Sequence, residues 1–276
     1  MVSTSRDVAK RLLHAASPRL AARLSASRGR ALSHRLVKQW GVDELNRKLV
    51  DHFGLQVQEG PFAGLRLTPV CEAEHLGPFL LGVYESEIDA AWRVVLDGSY
   101  RQVVDVGAKF GYYAVGLARA FPSAEVVAFD TDPWAQRAVR DVARANGVGN
   151  VRVHGFCEAG WFNDSLLDAS LIVSDCEGYE ATLFEAITTP SLRTSTILVE
   201  THDGFVEGAT ARVVAALKGT HVIRTFGTDS PRRQSTLSLA FLTDTDRQVA
   251  QHEVRGDQAW LLCLPTSGVN QSLALP

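Results

Sequence analysis

The 276-residue sequence predicts an α/β protein built on a doubly wound, mostly parallel sheet. Three observations predict it. Short apolar runs recur at 102–105, 125–130, 151–154, 171–175 and 196–200. Helical patterns of 10 to 13 residues separate them. Each run also ends in a polar residue: Asp105, Asp130, His154, Asp175 and Glu200. Runs without polar alternation suit strands buried on both faces. Strands joined by helices suit right-handed crossover units, which bring every strand's C-terminal end to one edge. Ligands of such sheets bind at that edge, near the switch in strand order.

The elements follow in order. Residues 1–75 read as a basic helical extension with a short cover segment, 76–266 as the main domain and 267–276 as a flexible tail. In the extension Val8 and Leu12, Leu20 and Leu24, and Leu32, Leu36 and Trp40 hold helical spacing. Ser17-Pro18 and Ser27-Arg28-Gly29 interrupt them. These stripes are thin, so they are expected to dock on the main domain or on a second copy of the chain. Residues 55–81, with a turn at Phe62 and alternating Leu65-Arg66-Leu67, suggest a hairpin or extended cover. Ser86 with Asp89 resembles a capping box ahead of Ile88, Trp92 and Val95. A helix bearing Ala114, Val115 and Ala118 follows the first strand. Asp132-Pro133 starts a helix with Trp134, Ala138 and Val142 on one face, and Asn146-Gly147 stops it. Leu183, Phe184 and Ile187 mark a helix after the fourth strand, and 206–217 one after the fifth. Strand candidates then cluster near 221–225, 236–242 and 259–264.

Composition narrows the function classes. Apolar residues make up 46% and charged residues 21%, which excludes a disordered or fibrous chain. There is no apolar run long enough for a transmembrane helix. Four scattered cysteines with no C-x-x-C pair argue against a zinc ribbon and a disulfide scaffold, and for a cytoplasmic protein with reduced thiols. Residues 1–48 carry eleven Lys/Arg against three Asp/Glu, within a chain of net charge -3. The remainder is therefore acidic and lacks the basic stripe of a nucleic-acid binder. The Arg- and Ser-rich N-terminus also has the composition of a transit peptide.

The turn after the first strand reads Asp105-Val106-Gly107-Ala108-Lys109-Phe110-Gly111. A dinucleotide fingerprint started at Gly107 puts Lys109 and Tyr112 where glycines are needed, and no Walker lysine is present. Asp130 stands 23 residues after Gly107, where a carboxylate can take two ribose hydroxyls. A ribose site without a phosphate cradle points to a nucleoside cofactor.

Three segments then carry a resemblance. Val104 to Ala114, reading V-D-V-G-A-K-F-G-Y-Y-A, resembles the first motif of class I, Rossmann-like S-adenosylmethionine-dependent methyltransferases, whose sheet is doubly wound and seven-stranded, and is closest to the FkbM-type branch. Ile172 to Glu180 resembles that branch's D-x-E-G-x-E, and Leu198 to His202 its E-x-H. The match runs over residues 80 to 225. The resemblance implies methyl transfer from S-adenosyl-L-methionine to a hydroxyl of a sugar, glycan or secondary metabolite. It implies that Asp105 and the backbone from Gly107 through Ala108, Lys109 and Gly111 hold the methionine end, and that Asp130 with Thr131 takes the ribose. Phe156 and Cys157 are candidate adenine contacts or ordinary packing. Tyr84, Glu85 and Glu87 either fold over the cofactor or form a polar helix entrance. Lys109 departs from the branch's usual uncharged residue, and is expected to meet the cofactor's carboxylate or solvent.

Asp175, Glu177, Glu180, Glu200 and His202 form a second constellation. Of these, Asp175, Glu200 and His202 are the catalytic candidates, with His202 as the general base. A carboxylate–histidine group can also hold a divalent metal, but the spacing is not diagnostic and no metal ligand is assigned. Ser174-Asp175-Cys176-Glu177 replaces the D-P-P-Y type motif of base-nitrogen methyltransferases, which disfavours a DNA acceptor. The competing class is a non-catalytic protein that holds the cofactor or a partner on the same fold.

Overall fold

The computed structural model describes residues 41–227, 229–253 and 258–266. The expectations for residues 1–40 and 267–276 lie outside these.

Helix α1 (Val42–Phe53) buries Val42, Leu45 and Leu49 on one face. Its Asn46 side chain bonds the backbone at Glu74 and Leu76, at 2.7 and 3.1 Å, and ties the helix to the segment that follows. The cover is a small hairpin: Val57 and Leu67 donate to Leu65 and Leu55 at 2.9 and 2.7 Å. A short helix α2 (Gly77–Leu80) is wholly buried. A 3-10 turn at Ser86–Ile88 leads into α3 (Asp89–Leu96). The expected capping box does not form. Ser86 is buried, and its hydroxyl instead accepts the Arg233 amide at 3.0 Å, while Asp89 takes the Arg233 guanidinium.

The core then alternates as expected: β1 (Gln102–Val106), α4 (Tyr112–Ala120), β2 (Glu125–Phe129), α5 (Pro133–Ala145), β3 (Val151–His154), α6 (Ala159–Ser165), β4 (Leu171–Ser174), α7 (Glu180–Ala186), β5 (Thr196–Thr201), α8 (Ala209–Leu217), β6 (His221–Gly227), α9 (Asp244–Gln251) and β7 (Ala259–Pro265). The strands form one seven-stranded sheet in the order β3-β2-β1-β4-β5-β7-β6. The first five are parallel, and β7 runs antiparallel to both β5 and β6. The order reverses between β1 and β4, which sets the switch point beside the Gly107 turn. Asp132 caps α5 as expected, accepting the Trp134 amide at 2.9 Å.

Side chains alternate across the sheet and divide the interior in two. Val103, Val126, Leu171, Leu198 and Leu262 face a layer made of the cover, α3, α4 and α5. Val104, Val127, Ile172, Ile197 and Leu261 face α6, α7 and α8. Helices on both faces explain why these strands read as continuous apolar runs. Leu45, Phe62, Leu65 and Phe79 share the first layer with the sheet, so α1 and the cover pack as part of the main body. Residues 236–242, expected as a strand, are irregular, with Leu239 and Leu242 buried in that same layer.

Candidate active site

The sheet's C-terminal edge gathers the polar residues. The Gly107 turn is the tightest point. Gly107 has φ +94, and a Cβ there would lie 1.6 Å from the Asp175 carbonyl oxygen. Only glycine lets the β1 turn and the end of β4 come this close. The turn's amides are used internally: Gly107 and Ala108 donate to the Phe129 carbonyl at 2.8 and 3.0 Å, and Gly111 to Ala108 at 2.7 Å. This turn therefore does not offer the row of free amides that cradles a phosphate.

Asp130, just past β2, accepts the Lys109 amide on one oxygen and the Asp132 amide on the other, each at 2.8 Å. Each oxygen keeps a further lone pair. Burial raises the carboxyl to about 6, against the pull of the two amides. Asp105 is fully buried at the end of β1, and burial raises it to about 7. Its Oδ2 has no hydrogen-bond partner.

Lys109 stands beside the turn with its side chain 48% exposed. Its ammonium lies 3.2 Å from Glu74, a buried carboxylate of the N-terminal segment. Burial opposes the charge, but Glu74 outweighs it and raises the ammonium above its usual value. Tyr84 stacks on Phe79 at 3.9 Å, and Glu85 and Glu87 are buried, with the Tyr113 hydroxyl donating to Glu85. Phe156 is half-buried against Tyr179 at 5.0 Å. Cys157 is packed in the second layer, where burial raises its thiol. Thr131 is half-buried beside Asp130.

The second constellation converges on His202. Its Nδ1 is 2.8 Å from Glu180 Oε1. Its Nε2 faces Glu200 Oε2 at 3.5 Å, and Asp175 Oδ1 and Glu177 Oε2 each at 3.6 Å. Glu180, which a solvated helix face would expose, is completely buried, and also accepts the Cys176 and Gly178 amides. Glu200 takes the Gln258 amide at 2.6 Å. Burial works against charge on the ring, but Glu180, Glu200 and Asp175 win and raise it to about 11. Burial first, then the neighbouring Glu200, raises Asp175 well above the ordinary carboxylate range. Glu177 sits at φ +56 with its side chain 65% exposed. Phe205, which the sequence did not single out, lies flat beside His202 at 5.5 Å and is 60% exposed.

No protein-family model and no curated protein matches the chain. Among solved structures, a precorrin-6y C5,15-methyltransferase from Geobacter metallireducens is 12% identical, with 63% of this chain and 86% of that one covered at a TM-score of 0.40. An rRNA methylase from Streptococcus thermophilus is 10% identical, with 64% and 96% covered at 0.45. Such identities carry no statement about chemistry. The strand order and the direction of each strand are this chain's own, and they make it a Rossmann-like α/β protein of the seven-stranded kind.

Proposed function

We propose that the protein is an S-adenosylmethionine-dependent methyltransferase of the FkbM type that acts on a hydroxyl of a sugar, glycan or secondary metabolite. The observation that supports this best is the pairing at the switch point. A phosphate-free glycine turn with Asp105 and Asp130 stands on one side, and a histidine ringed by four carboxylates on the other, joined through Gly107 and Asp175.

The residues present fit the cofactor. The self-bonded turn suits a ligand without phosphates. Asp130 keeps acceptor capacity for two ribose hydroxyls, and the unpartnered, buried Asp105 Oδ2 suits an ammonium group. Phe156, half-buried next to Tyr179, offers a ring face for adenine, while Cys157 belongs to the packing. Lys109 is committed to Glu74 and draws the N-terminal segment toward the turn. When bound, the cofactor supplies an electrophilic methyl group. The protein's work is then to place an oxygen in line with it and to remove that oxygen's proton.

His202 suits the first task. Glu180 fixes the ring, and its position among Asp175 and Glu200 lets it orient a hydroxyl. Its Nδ1 is taken by Glu180 and its Nε2 faces three carboxylate oxygens, so the second task falls to a carboxylate. Glu177 is the best placed, being exposed and 3.6 Å from the ring. Phe205 gives an acceptor a flat apolar face.

Calorimetric titration of the purified protein with S-adenosylmethionine tests the reading. Saturable binding is expected, weakened at least about tenfold, or 1.4 kcal/mol, by Asp130→Ala. Transfer of labelled methyl to sugar and metabolite hydroxyls follows. A correctly folded protein that takes up no cofactor at millimolar concentration refutes it.

A further inference from the structure

We infer that Asp175, Glu200 and His202 together bind one divalent transition-metal cation of manganese's class. The inference rests on the proposed function for its purpose but not for its geometry. One donor atom from each residue lies within 4.8 Å of the other two. The three carboxylate oxygens facing Nε2 stand at 3.5–3.6 Å. Two of these are too far for a hydrogen bond. Donors that share a cation at bond lengths of about 2.0–2.2 Å stand roughly 3.0–3.6 Å apart.

A second observation points the same way. Asp175 Oδ1, the oxygen turned toward Nε2, is wholly buried and has no hydrogen-bond partner. The same holds for Oε2 of Glu180, a side chain with no exposed surface. Buried carboxylate oxygens without donors are costly unless a cation meets them. The Lys109 ammonium is already 3.2 Å from Glu74.

The remaining shell is that of a ligated histidine. Glu180 holds Nδ1, which leaves Nε2 for the metal, in the carboxylate–histidine–metal arrangement. One imidazole with two carboxylates favours manganese or a softer ion over magnesium, which prefers an all-oxygen shell. Such an ion would hold the acceptor oxygen and favour its ionised form, with Glu177 beside it to take the proton.

The test uses the full chain after chelator treatment, titrated with manganese(II) chloride. The electron paramagnetic resonance signal of free Mn2+ reports uptake. One bound ion per chain is expected. Asp175→Asn, Glu200→Gln and His202→Ala should each weaken binding at least about tenfold. Asp244→Asn, on exposed α9, should leave it unchanged. Circular dichroism establishes that each variant is folded. No uptake by the folded wild type, or equal uptake by the three variants, overturns the inference. A parallel titration of the metal-free protein with S-adenosylmethionine separates the two readings. Cofactor binding without manganese binding removes the cation alone, and manganese binding without cofactor binding upholds the site while removing the methyltransferase.

Discussion

Replacing Gly107 by alanine tests how the turn and the histidine cluster are joined. The new methyl carbon would sit 1.6 Å from the Asp175 carbonyl oxygen, where ordinary contact needs roughly twice that. Three costs follow. A left-handed backbone angle costs a non-glycine residue about 1–2 kcal/mol. Overpacking a rigid interior costs about 1–3 kcal/mol. Moving the β4 end away also strains the 2.8 Å bond from the Asp175 amide to Val106, worth about 1 kcal/mol. The total is roughly 3–6 kcal/mol, a large part of the about 5–15 kcal/mol by which domains are stable. Urea denaturation followed by tryptophan fluorescence should show the midpoint falling by at least about 1 M. Gly147→Ala is the control. Gly147 has φ +67, but a Cβ there meets nothing within 4 Å, so only the backbone cost of about 1–2 kcal/mol applies. Equal losses in the two variants would refute the reasoning, because strain alone would then account for both.

Other outcomes follow from single contacts. Asp132→Ala removes the cap on α5 and should cost about 1 kcal/mol in the same denaturation assay. Asp105 is raised to about 7, so the folded state holds its proton where the unfolded chain has lost it. Its contribution is complete below the unfolded value and declines as pH rises toward 7, by at most about 1.4 kcal/mol per pH unit. Asp105→Asn should flatten that part of the stability–pH curve. Lys109→Asn removes the 3.2 Å ion pair with Glu74, and should lower stability by about 1 kcal/mol or less while changing cofactor affinity less than about threefold.

The central strands were legible because burial on both faces leaves apolar runs that end abruptly in Asp105, Asp130, Asp175 and Glu200. The cap at Asp132 was legible because its partner is two residues away. What escaped depends on residues far apart. Lys109 finds Glu74, and Ser86 finds Arg233, across separations that no local pattern records. The alternation at 236–242 suggested a strand. There Glu59 instead takes the Ser235 hydroxyl and the Thr236 amide, and Leu239 and Leu242 bury without pairing. The burial of Glu180 was not legible, because a carboxylate at a helix start reads as solvated. Its place under His202 comes from the turn at Gly178, with φ +99, which lets the chain double back.

The ties between the cover and residues 233–236 also bear on how the chain folds. Arg233 reaches Asp89 across 144 residues, and Thr236 reaches Glu59 across 177. Bonds of such sequence separation close large loops and belong to the slow part of folding. A nascent chain can assemble the five parallel strands before residue 236 leaves the ribosome. The ties of Glu59 and Asp89 to residues 233–236 close only after that, so a product ended before residue 233 would lack its longest-range clasp.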